Sequence, residues 1–167
     1  MAGDPDTDLV KYSNCFHDGE KLAQHGIYPK AIQRYTQALD AVTNANGLLC
    51  TDDAKHCLTS RAKCYLAMSD HKNAYLDAER SLEDDPNFVK GIHMKAEALY
   101  MKGEFEYALM YFHRGHKMRP ELSEFSRGIS KSTEAIENSV GSPDDITLEK
   151  KGDLTLFLTF PTLPSET

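Results

Sequence analysis

Two stretches of the chain align with each other without a gap. RAKCYLAMSDHKNAYLDAERSLEDDP runs from Arg61 to Pro86, and KAEALYMKGEFEYALMYFHRGHKMRP from Lys95 to Pro120. Ala62 falls on Ala96, Ala74 on Ala108, Leu82 on His116 and Pro86 on Pro120, each pair 34 residues apart. Self-similarity at a fixed period limits the fold severely. Each copy is one supersecondary unit that cannot bury its apolar face alone, so neighbouring copies must stack. The residue types fit a pair of helices. Ala62 and Ala96 are small enough for close helix approach, and Tyr65 and Leu99 follow three residues later on the same face. Ser69-Asp70 and Gly103-Glu104 mark turns, Ala74 and Ala108 are small contacts on the second helix, and Pro86 and Pro120 end it or start the next.

A period of 34 residues is that of the tetratricopeptide repeat. A weaker copy lies upstream in GEKLAQHGIYPKAIQRYTQAL, where Gly19 takes the small position, Leu22 the large one and Gly26 the turn, before Ala31, Tyr35 and Ala38. Its offset from the second copy exceeds one period, and the surplus sits around NANGLLCTDD, Asn44 to Asp53, as a longer loop. The expected fold is an all-α solenoid with no sheet: three helix pairs over about 12–43, 55–88 and 89–119, then a capping helix over 120–139. Phe125, Ile129, Ala135 and Ile136 give that last helix its apolar stripe. Residues 1–11 and 140–167 are expected to be largely disordered. Leu154, Leu156, Leu158 and Phe160 alternate like a strand, but one without a partner strand.

The charge balance narrows the function. With 19 basic against 26 acidic residues and a formal net charge of −7, the chain lacks the positive face that nucleic acid or anionic lipid would need. The start Met-Ala-Gly-Asp-Pro-Asp-Thr-Asp has no secretory character, so the four cysteines, Cys15, Cys50, Cys57 and Cys64, are expected to be reduced and to act as small hydrophobes. No apolar run approaches the roughly 18 residues of a membrane span. The expected location is the cytoplasm or a structure facing it.

Chemistry-bearing residues do not cluster. His113 and His116 share a helix face, as do Cys57 and Cys64, but neither spacing makes a zinc ligand set. Asp52-Asp53 and Asp84-Asp85 fall at helix boundaries, where carboxylates serve as caps. No phosphate loop, nucleophile elbow or metalloprotease helix appears. No catalytic residue, metal or cofactor is therefore expected.

The groove is the expected working surface. In this architecture the first helix of each pair lines the concave face. The register places Phe16, His17 and Glu20 there from copy one, and His56, Thr59, Ser60 and Lys63 from copy two. Copy three adds Lys90, His93, Met94, Glu97, Tyr100 and Met101. Aromatic and Met side chains mixed with both signs of charge suit a helix or extended segment of a protein partner.

Three segments carry a narrower resemblance: RAKCYLAMSD, KGIHMKAEALYMKGEFEYALMYFHRGHKMRP and ENSVGSPDDITLEKKGDL. The last lies outside the repeat register, so repeat consensus alone cannot produce it. Over about Arg61 to Leu154 the chain resembles the outer dynein arm docking family of tetratricopeptide proteins. The resemblance implies a scaffold in motile cilia that helps seat outer dynein arms on axonemal doublet microtubules through coiled-coil docking proteins. It also implies a longer protein with further repeats; LTLFLTFPTLPSET departs from that family's continuation. Two other readings of the same fold are an adaptor for heat-shock protein carboxy termini and a cytoplasmic assembly factor for dyneins. A third, an enzyme carrying a helical domain, has no residue in its favour. Repeats that grip a terminal carboxylate resemble one another in Lys, Asn and Arg residues on the first helices. The corresponding places here hold Phe16, Glu20, Ser60, Lys90 and Met94, of which only Lys90 keeps the type.

Overall fold

A computed structural model describes residues 5–46 and 52–140. Seven helices follow in order: α1 Pro5–Gln24, α2 Tyr28–Asn46, α3 Asp52–Ala67, α4 His71–Arg80, α5 Val89–Lys102, α6 Phe105–Met118 and α7 Ser123–Val140. No strand occurs among the described residues. The chain is an all-α tetratricopeptide solenoid, with pairs α1/α2, α3/α4 and α5/α6 capped by α7. Helix α1 starts at Pro5, inside the stretch expected to lack order; proline suits a first helical position, where its missing N–H forfeits no bond. The interval expected as a loop is partly helical, since α2 runs to Asn46 and α3 starts at Asp52. Its middle, Cys50 and the tail from 141 onward lie outside the described residues.

The curvature follows from which helices touch. Consecutive helices pack throughout, and α1, α3, α5 and α7 also touch their neighbours in that series, whereas α2, α4 and α6 do not touch one another. The odd-numbered helices therefore crowd one side, which becomes concave. Small residues permit this crowding. Ala62, Ala96, Ala74 and Ala108 are fully buried, and Gly19 lies under the Tyr35 ring, where a Cβ would fall 2.8 Å from Cε1. The three turns within pairs share one backbone device: Gly26, Ser69 and Gly103 all have positive φ, at 73°, 61° and 86°. Each reverses the chain in the left-handed region, which glycine enters without strain and serine does not.

Two apolar clusters form the core. Tyr12, Tyr35, Val42, Cys57 and Leu58 join the first pair to α3, and Ile92, Leu99, Phe112 and Phe125 join α5, α6 and α7. Between them lies a buried ion pair. Arg61 Nε and Nη2 each donate to Asp77 at 2.7 Å, and Nη1 donates to Thr36 Oγ1 at 2.9 Å, so one guanidinium ties α2, α3 and α4 together. Such forked pairing satisfies a buried arginine geometrically and stabilises one register of the stack.

Candidate protein-binding groove

Helices α1, α3, α5 and α7 bound three clefts of about 280, 260 and 350 Å3 that merge along the concave face. Ser60 lines all three and is their common centre. Its place on α3, the middle of the inner series, follows from the repeat register.

Eight of the expected groove residues, Thr59 and Ser60 among them, converge there, while His17 is exposed outside these clefts. Phe16 and Glu20 form the α1 wall with Asp53 and His56 opposite; Lys63 projects from α3, and Lys90 and Met94 from α5. Phe16 is held by rings on both sides, 5.7 Å from Tyr12 and 5.7 Å from Tyr35. Lys90 Nζ lies 3.4 Å from His56 Nδ1, and His56 meets Phe88 edge-on.

The other expected residues are placed differently. His93 borders the first cleft, but its ring is edge-on to Phe112 and Phe125 and its Nε2 is 3.7 Å from Glu97, inside the α5–α6–α7 junction. Glu97 accepts both its short bonds from Lys131 of α7, at 2.8 and 2.6 Å. Tyr100 lies under the Lys131 ammonium and against Phe105. Met101 is exposed beyond the clefts. The physical reason is α7: packing on α5, it occupies the last turns of that helix's concave face. In exchange it contributes Glu124 and Phe125 to the first cleft, next to Leu122 from the turn before it. The repeat register extended one period beyond Lys90 would have flagged Glu124.

The thiols near the groove are shielded. The groove's one thiol, Cys64, is pushed up to about 11 by burial, and the neighbouring Cys57 up to about 12. Both are protonated near neutrality and so are weak nucleophiles. Among the described residues no three His, Cys, Asp or Glu side chains gather as a metal site, and no helix is long and apolar enough to cross a membrane.

No protein-family model matches the chain. It is 52% identical over 140 residues to outer dynein arm-docking complex subunit 4 of Danio rerio, a match covering 84% of this chain and 27% of that protein. The Mus musculus protein of the same name is 48% identical over 152 residues, covering 90% and 23%. Among solved structures, the Sgt2 tetratricopeptide domain from Aspergillus fumigatus superposes with a TM-score of 0.68 at 22% identity, covering 87% of this chain and 93% of that one. The chain has the tetratricopeptide-repeat fold. The first tetratricopeptide domain of Spaghetti (RPAP3), bound to the HSP90 peptide SRMEEVD, matches with a TM-score of 0.67 at 19% identity, covering 81% and 98%. At such identities a tetratricopeptide likeness establishes the fold alone. A weaker sequence relative is Hsp70-Hsp90 organizing protein 3 of Arabidopsis thaliana, 28% identical over 123 residues, covering 74% of this chain and 20% of that protein. The chain spans about a quarter of the length of the docking-complex relatives. Their names describe docking and organising proteins, and a protein-interaction role for these repeats agrees with both the names and the fold.

Proposed function

We propose that this chain is a docking adaptor for outer dynein arms on ciliary axonemal microtubules. Its concave groove would hold a segment of a partner protein, of the coiled-coil docking type or from the dynein arm itself. The observation that carries this reading is the identity of about half the aligned residues with outer dynein arm-docking complex subunit 4 across most of the chain. The groove supports it with apolar side chains able to bury area, Phe16 and Met94, framed by charges that set register.

The test is location and company. Tagged chain expressed in motile ciliated cells is expected along the axoneme, and to co-precipitate outer dynein arm docking proteins. A chain that stays diffuse and recovers none of them contradicts the proposal.

The chaperone reading has one point in its favour: structural neighbours bind heat-shock peptides in the same fold. The groove residues argue against it here. Glu20 repels a carboxylate, and Phe16 and Met94 offer it no donor.

A further inference from the structure

Each of the four inner helices brings a charged side chain to the groove. Glu20 of α1, Lys63 of α3, Lys90 of α5 and Glu124 of α7 are exposed, and all four line the merged clefts. None has an ion-pair partner among the described residues; Lys90 meets only the His56 ring. Some other charges on these helices are paired: Arg61 with Asp77, Lys95 with Glu79, Glu97 with Lys131. Asp53 of α3, also exposed and without an ion pair among the described residues, stands opposite Glu20 in the third cleft. Glu20, Lys63, Lys90 and Glu124, one from each helix from α1 to α7, run acidic, basic, basic, acidic, with Asp53 a second acid between α1 and α3.

We propose that the groove selects a partner segment with two central acidic side chains flanked on each side by a basic one. This deepens the docking reading above and rests on it. Neighbouring packed helices stand about 8–10 Å apart, and an extended chain advances about 3.3 Å per residue. A segment lying across the four inner helices therefore presents a side chain to a new helix about every third residue. The matching order is basic, acidic, acidic, basic at every third position. Residues between them face Phe16 at one end and Met94 and Leu122 at the other, where apolar side chains fit. The order is symmetric, so charge fixes register and these unequal apolar ends fix direction. Like charges brought together across an interface are rejected strongly, so the complementary order acts mainly on specificity. The segment is internal to its protein: the clefts offer lysines to side-chain carboxylates, but beside them only one amide, Gln24, and no guanidinium among the described lining residues, too few donors to surround a chain terminus.

Two synthetic peptides of identical composition test this. One carries Lys, Glu, Glu and Lys at every third position with Leu and Ser between, and the other carries Glu, Lys, Lys and Glu at those places. Both are blocked at each end so that neither presents a terminal carboxylate. Calorimetry at low salt is expected to give at least about tenfold tighter binding for the first, a discrimination of about 1.4 kcal/mol. The variant Lys63→Glu with Lys90→Glu, whose substitutions lie on exposed surface, is expected to fold normally by circular dichroism and to lose that preference. Equal affinities, no binding of either peptide, or a preference that survives in the variant overturns the proposal. Its failure is separable from that of the docking reading. If Met94→Glu abolishes capture of docking proteins while the lysine variant captures them as well as wild type, the groove docks partners but charge order does not select them.

Discussion

Phe125 of α7 fills the space that a Cβ on Gly115 of α6 would need, and Phe112 of α6 does the same to Gly128 of α7. The two rings and two glycines interlock in opposite directions, which fixes the capping helix in rotation and depth. One period earlier, the equivalent junction is built with small partners instead: a Cβ on Gly91 would meet Ser81 Oγ at 2.5 Å. The same two positions thus hold serine with glycine in one junction and glycine with phenylalanine in the next, and at the smaller pair Leu82 also closes on Gly91, its Cδ2 2.9 Å from where a Cβ would lie.

Gly115→Ala is accordingly expected to destabilise the domain by about 1–3 kcal/mol through overpacking. The helix-propensity gain of about 1 kcal/mol acts in the other direction and is outweighed. Thermal unfolding checks this, and Phe125→Leu in the same chain is expected to recover part of the loss. A melting temperature unchanged by Gly115→Ala alone contradicts the interlock.

Ser69 occupies the left-handed conformation that Gly26 and Gly103 hold in the other two pairs. Ser69→Gly is expected to stabilise by up to about 1 kcal/mol, because relief of the left-handed strain exceeds the extra backbone entropy lost. Denaturant midpoints of the two proteins decide it, and a lower midpoint for the glycine variant sinks the argument.

The fold was legible because its determinants repeat. Ala62 and Ala96, the turn residues and the closing prolines recur at one spacing, and a recurrence of small residues states where helices must approach. The groove was legible only in part. The register of copies one to three places Phe16, Glu20, Lys63, Lys90 and Met94 on the inner face, and it says nothing of what later covers that face. Glu97 and Tyr100 sit at inner-face positions, yet Lys131, from outside the three pairs, bonds one and covers the other. The same helix supplies Glu124 to the groove. The cap's own apolar stripe was legible, but which inner-face side chains it covers depends on long-range packing that no local pattern specifies, and the start of α1 at Pro5 was hidden by polar residues that suit either helix or coil.

His93 gives the capping junction a pH dependence. Burial among Phe112 and Phe125 lowers its pKa below the usual 6.5, and Lys131 and Arg127 of α7 reinforce this, while Glu97 and Glu124 oppose it. Because the folded state disfavours the protonated ring, the stability linked to His93 is fully present above about pH 6.5 and is lost as pH falls through the lower folded-state value. Melting temperatures between pH 7.5 and 5 are expected to fall more steeply for wild type than for His93→Gln. Parallel slopes contradict this assignment.

A peptide ending in Glu-Glu-Val-Asp is expected to show no specific binding. In the clefts that contain Lys90, a terminal carboxylate meets two cations, Lys63 and Lys90, against three repelling carboxylates, Glu20, Asp53 and Glu124. Calorimetry giving micromolar affinity that disappears with Lys90→Ala is the contrary result.

The central claim is that the inner face of the repeats holds a docking protein of the axoneme. Co-precipitation of outer dynein arm docking proteins from motile ciliated cells, compared between wild type and Met94→Glu, tests it most directly. Met94 lines the first cleft, between α3, α5 and α7, without the ring and ion-pair contacts that tie Tyr100 and Glu97 to the cap. Lys72→Glu, on the exposed surface of α4, serves as the matched control. The account predicts that capture is lost with Met94→Glu and kept with Lys72→Glu, with helicity equal in all three proteins. Undiminished capture by the Met94→Glu chain contradicts it.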